Sequence, residues 1–246
     1  METPQVNGEI GYHGLQEWWF RELSDSDRDL ISSTHSPSDA SPGSTSSLLH
    51  GSDFISSTDT TRWLTAPDCI LPSTIYISSS NTAHWLVSLA RGFISTDPEK
   101  QDLAIRITDK AWELRDKSGP STGADDVFSR HSALGGMMGI YYRYRDNPQH
   151  FERAVECAWL QIAMQEDAMK AWLEQDAEHL AILQRDIPNY VDPTPHLLPP
   201  HAGYKQMAIL LEKEKRFHEA LDLVLEAQAA GWRGDWEKRI GRLRKN

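Results

Sequence analysis

Cysteine is scarce: only Cys69 and Cys157 occur in 246 residues, and neither stands in a CxxC or Cys/His ligand spacing. That scarcity argues against a disulfide framework and makes a reducing cytoplasm the plainer setting. Cations are short as well. Lys and Arg number 25 against 36 Asp and Glu, a formal net charge of −11. This sign weighs against a general nucleic-acid binder and against steering to anionic membranes. Nor is there a long apolar run. Residues 69–90 carry no formal charge, but Pro72, Asn81, His84 and seven Ser or Thr make them too polar for a bilayer core. The opening METPQVNGEIGYHG has neither the basic nor the apolar region of a signal peptide, so none is expected. GxxxxGK[ST], GxGxxG, HExxH and GxSxG are all missing. No cofactor, metal site or catalytic residue is assigned.

What the chain has is tryptophan and helical periodicity. Nine Trp against six Phe point to bulky anchors between packed elements. Near the start, Leu15, Trp18, Trp19, Phe20 and Leu23 are spaced for a short amphipathic helix. Ser24 with Asp25, Asp27 and Asp29 marks the first turn of another. Residues 1–31 are therefore read as short helices. Residues 32–62 turn to Ser and Thr, with too little apolar surface to offset ordering entropy, and read as a flexible linker or loop. The phrases DLISST, DFISST, YISSSNT and FISTDP recur at irregular intervals and are taken as ordinary element ends.

From 63 to 246 the chain reads as all-α, built from antiparallel helix pairs, apart from a short strand at Ile75–Ile77. Helices are predicted over 82–95, from Asp97 (N-cap) and Pro98 to about Ser118, and from about Asp126 to Arg145. After the break at Asn147-Pro148 a single helical pattern runs through Phe151, Trp159, Met169, Trp172 and Leu180. Pro188, Pro193, Pro195, Pro199 and Pro200 mark an extended connection. Two more helices follow at about 201–215 and 217–230, with a last one over 235–243.

The segment GYKQMAILLEKEKRFHEALDLVLEAQAAGW, residues 203–232, resembles the tetratricopeptide repeat, a 34-residue helix–turn–helix unit. Tyr204, Met207-Ala208, Leu211, Phe217, Ala220, Val224 and Ala227 take that family's packing places. Two departures stand out: Lys215 holds the turn-glycine place and Trp232 the usual proline place. Weaker echoes lie at 82–117, with Ala90, Phe93, Ala104 and Ala111, and at 133–165, with Met138-Gly139, Tyr142, Phe151 and Ala154. The resemblance implies a short stacked array closed by a capping helix at 235–243. It also implies a concave surface made by the first helix of each pair.

Three functions remain in view. The leading one is a non-enzymatic adaptor that binds a partner protein or peptide in that groove. A small enzyme using His13, His84 or the 178–201 histidines in a site open to a metal is the alternative from another class. A third is a structural subunit that self-associates through its tryptophans as a homo-oligomer. Carrying over the family's inward positions gives His84, Val87 and Arg91 in the first pair and Ile140, Arg143 and Tyr144 in the second. The clearest repeat supplies Lys205, Ile209, Glu212 and Lys213. The expected partner-binding set is His84, Arg91, Arg143, Tyr144, Lys205, Ile209 and Lys213. Such a cationic strip on an acidic body suits an acidic motif or a peptide carboxylate.

Overall fold

The computed structural model describes residues 8–34, 81–117, 119–187, 190 and 197–245. These residues divide into two units, 8–34 and 81–245, and each is considered by itself. The strand expected at Ile75–Ile77 and residues 35–62 of the expected linker lie outside the described residues. The described residues hold 11 helices and are all-α apart from one two-stranded pairing. Among them no helix is long and apolar enough to cross a membrane.

The first unit carries α1 (Gly8–Tyr12), α2 (Gln16–Arg21) and α3 (Asp25–Thr34). Leu15, Trp18, Trp19 and Leu23 of the expected stripe are buried, as is Ile31, whereas Phe20 of that stripe is exposed. Ser24 opens α3 with a reciprocal cap. Its Oγ accepts from the Asp27 amide at 3.1 Å, while Asp27 Oδ2 accepts from the Ser24 amide at 2.9 Å. With that start secured, α3 runs past the 31/32 boundary to Thr34.

The second unit begins with α4 (Thr82–Arg91) and α5 (Pro98–Glu113), followed by α6 (Gly123–Arg143) and α7 (Pro148–Ala163). Then come α8 (Gln165–Asp186), α9 (Ala202–Lys213), α10 (Phe217–Ala229) and α11 (Trp236–Leu243). Asn81, Asp97 and Asn147 cap α4, α5 and α7 by accepting backbone amides, and Pro98 and Pro148 occupy the first turns. These three starts were plain in the sequence because each uses a short polar cap, two of them followed by a proline.

One correction falls in the middle. The pattern expected to run unbroken from Phe151 to Leu180 is two helices, parted at Met164. Neither proline nor glycine announces the break. It arises because the second segment turns back onto α6, burying Ala168 and Ala171 there instead of continuing along α7.

Three packed pairs result: α4 with α5, α6 with α7, and α9 with α10. Their approach is set by small residues. Ala90, Ala104, Ala111, Ala154, Ala158, Ala208, Ala220 and Ala227 are all at most 1% exposed. At Gly136 a Cβ would stand 2.3 Å from Val87 Cγ1, and at Gly203 it would stand 2.7 Å from the Ala158 carbonyl oxygen. Only glycine lets α4 and α6, and α7 and α9, come that near.

The first helices of the pairs run in the same direction. Asn81 bonds Asp126 at 2.7 Å and Tyr144 reaches Ser95, so α4 and α6 are parallel. Ala202 lies beside Gly135 and Lys213 bonds Tyr142, so α6 and α9 are parallel too. β1 (Leu198–Pro200) pairs in parallel with β2 (Trp232–Arg233), which closes part of the proline-rich connection.

The last helix, α11, docks through a charge cluster. Arg239 Nη1 and Arg242 Nη2 each hold one oxygen of Glu212, at 2.5 and 2.6 Å. Glu212 therefore faces α11 and does not belong to the inward set. Val87 and Ile140, also expected inward, are core residues at 0% and 1% exposure.

At the α9–α10 turn Lys215 has φ +62°, the left-handed conformation that the glycine of the resembled family would adopt. A β-branched residue is the worst occupant of that region. Lys215→Val is expected to lower stability by about 1–2 kcal/mol and Lys215→Gly to leave it unchanged or slightly raised. Thermal unfolding of the two variants beside the parent measures both.

Candidate functional site

One stripe of α6 lies outside the core of the second unit. Asp125, Phe128, Ser132, Gly135, Gly139, Tyr142 and Arg143 recur at helical spacing and are half-buried or exposed. Core residues occupy the opposite side. The stripe lies between the contact with α4 at Gly136 and the contact with α9 at Gly135 and Tyr142. At Gly139 a Cβ would meet nothing within 4 Å, so the floor of the trough is open there.

Cations stand along both sides. Arg91 of α4 hangs beside Gly136, its Nη2 3.0 Å from where that Cβ would be. On α6 itself Arg143 is exposed, and Lys205 and Lys213 are exposed on α9. No ion pair of Arg91, Arg143, Lys205 or Lys213 is formed among the described residues, unlike Glu212 with its two arginines. Unpaired guanidinium and ammonium groups retain their donors for an incoming carboxylate.

Lys213 instead donates to Tyr142 Oη at 3.2 Å, and Arg145 stacks over the same ring with Cζ 4.6 Å from its centre. Burial pushes the Tyr142 phenol up. The hydrogen bond and charge of Lys213, with Arg145, outweigh that and hold it below its ordinary value. Beyond Arg143 the trough meets an open recess of about 850 Å³ between the α4–α5 and α6–α7 turns. Arg143, Tyr144, Ser95, Gln101 and the acids Asp102 and Asp146 line it.

The expected set is thus only partly gathered. Arg143 and Tyr144 share the recess, and Lys213 reaches α6 through Tyr142. Ile209 is half-buried on α9. His84 is half-buried, and burial, with the charge of Arg91, lowers its pKa.

The histidines proposed for an enzyme are placed as follows. His13 belongs to the first unit, His179 is exposed on α8, and His196 lies outside the described residues. Among the described residues no three His, Cys, Asp or Glu side chains gather as metal ligands. His201 is drawn elsewhere, to His131 of α6, with Nε2 to Nε2 at 3.0 Å. The Tyr204 amide donates to His201 Nδ1 at 3.3 Å, so the His201 proton sits on Nε2 and is given to His131. Trp232 stacks on His131 at 5.2 Å and meets His201 edge-on at 4.7 Å. Gln161 joins the same knot, donating to the His131 carbonyl and accepting from the Gly203 amide.

His131 was missed in the sequence because it lies 70 positions from its partner inside an unremarkable helix. The only signal was that His201 stands just before a helix start, as capping residues do. Cys157 is buried, and burial pushes its thiol up to about 12, so it is a poor nucleophile. Compared with known protein families, curated proteins and solved structures, the chain matches none.

Burial lowers His131 to about 4; burial and the His131 charge lower His201 to about 3. Both are neutral when folded but take up protons near their ordinary 6.5 when unfolded. Stability is therefore full above pH 6.5 and falls as pH drops toward 4, because the unfolded chain then binds more protons. Denaturant unfolding across this interval is expected to show the slope, and His131→Phe to flatten it.

Proposed function

We propose that this chain is a non-enzymatic protein-binding module whose helix pairs stack as a short tetratricopeptide-like array closed by α11. The trough over α6 takes an acidic segment of a partner protein. The observation that carries the reading is the trough itself. Parallel α4, α6 and α9 carry the exposed Arg91, Arg143, Lys205 and Lys213, and α6 is open at Gly139, in a protein of net charge −11. Fixed cations around an open floor select carboxylates by charge and deter basic partners. A peptide lying over Gly139 would place its acids beside Arg143 and Lys213, and a C-terminal carboxylate in the recess beyond Arg143 is served by the same guanidinium. The cytoplasm is the setting proposed, where the thiol of Cys157 stays reduced.

The variant Arg143→Glu with Lys205→Glu tests this. Neither side chain is buried, so the helices are expected to remain intact by circular dichroism. Binding of a fluorescein-labelled peptide of alternating Glu and Leu, followed by fluorescence polarisation, is expected to weaken at least about tenfold, since contacts between close opposite charges are worth about 1.5 kcal/mol or more. Parent binding should also weaken as salt rises. Unchanged affinity and unchanged salt dependence would overturn the reading.

A further inference from the structure

The trough is already half filled. Of the exposed stripe on α6, Asp125 and Phe128 are met by α8. Trp172 packs its ring 5.0 Å from that of Phe128, and Gln175 Nε2 donates to Asp125 Oδ1 at 2.8 Å. These are the same face of α6 as Gly139 and Arg143, further toward its N-terminus.

The covering helix has the character of a ligand. It carries six acids against two cations, the charge sign proposed for the partner. It buries only Ala168 and Ala171 fully. Its start is pinned, since Gln165 Oε1 accepts from Trp232 Nε1 at 3.1 Å. Its middle is held imperfectly, because Trp172 Nε1 is buried with no hydrogen-bond partner. A buried donor left unpaired costs about 1–3 kcal/mol, a penalty that a well-matched permanent contact avoids. Beyond that point no residue from 173 to 187 is buried, and Leu173 and Ile182 of α8, with Ile187 just after it, are 45–46% exposed, so this part of α8 lacks apolar cover.

We infer that the trough is built for an acidic amphipathic helix with an aromatic anchor over Phe128, and that α8 is its intramolecular stand-in, displaced when such a helix binds. This rests on the trough being the binding surface. The physical reason is competition: one apolar ring and one acidic helix fit over Phe128 at a time, and the partner must outcompete a tethered copy. Opening α8 beyond its pinned start at Gln165 would extend the free stripe from Arg143 back to Asp125.

The test adds a labelled synthetic peptide with the sequence of residues 165–186 to the full chain and to its Trp172→Ala, Gln175→Ala variant. The variant loosens the resident helix while keeping Phe128 and every trough cation. The peptide is expected to bind the variant about tenfold tighter than the parent, the factor for a site that is nine-tenths occupied by its own α8. A peptide bearing alanine for its tryptophan should lose that gain. Amide exchange gives a second measure needing no ligand: residues 172–186 should exchange much faster than α6 and α7 in the free parent. Equal affinity of parent and variant, or protection of α8 equal to that of α6, overturns the inference. If binding of the Glu/Leu peptide still depends on Arg143 and Lys205, the trough reading survives that failure.

Discussion

The close approach of helices to α6 is the constraint on which the second unit depends. α4, α5, α7, α8 and α9 all pack against this one helix. A helix can have that many neighbours only if part of its surface is nearly bare of side chains. Gly135 and Gly136 provide this. Gly136 admits Val87, while Gly135 admits Gln161, which ties α6 to the start of α9. The alanines of the other helices repeat the solution wherever two backbones must come near.

Polar knots then hold the pairs in register. The His131–His201–Trp232 cluster and Gln161 satisfy buried donors and acceptors at the place where α6, α7, β2 and the start of α9 meet. Glu212 with Arg239 and Arg242 performs the same office between α9 and α11. Apolar packing sets how near the helices lie, but it is weakly directional. Hydrogen bonds with defined geometry decide the rotation and slide, so a buried network is costly to disturb.

The proposed binding surface is a by-product of this arrangement. Three first helices run parallel with a glycine-bearing middle member, and the part of α6 left open at Gly139 is the proposed floor. Among the described residues the rim cations form no ion pair, whereas Arg239 and Arg242 of α11 share the carboxylate of Glu212. The difference is one of neighbours, not of residue type.

Much of this was legible along the chain. The helix starts at 82, 98 and 148, the alanine spacing of the pairs and the last helix after Asp235 all follow from local chemistry read within a few residues. Lys215, by contrast, read as a departure from a turn glycine, turns out to hold the left-handed conformation itself. Of the proposed partner-binding set, Arg91, Arg143, Lys205 and Lys213 are exposed, while His84, Tyr144 and Ile209 are half-buried. What the linear reading could not reach were contacts between distant positions. The break at Met164 has no local cause; it exists because α8 finds α6 more favourable than continued alignment with α7. His131 meets His201 across 70 positions, and Glu212 turns away from the trough only because the arginines of α11 stand where they do. Val87 and Ile140 lie inside for the same reason, since the side of a helix that is buried depends on how its neighbours roll against it. Local propensity and capping act over one or two turns and are encoded in consecutive residues, whereas the choice of partners is made by the whole assembled core.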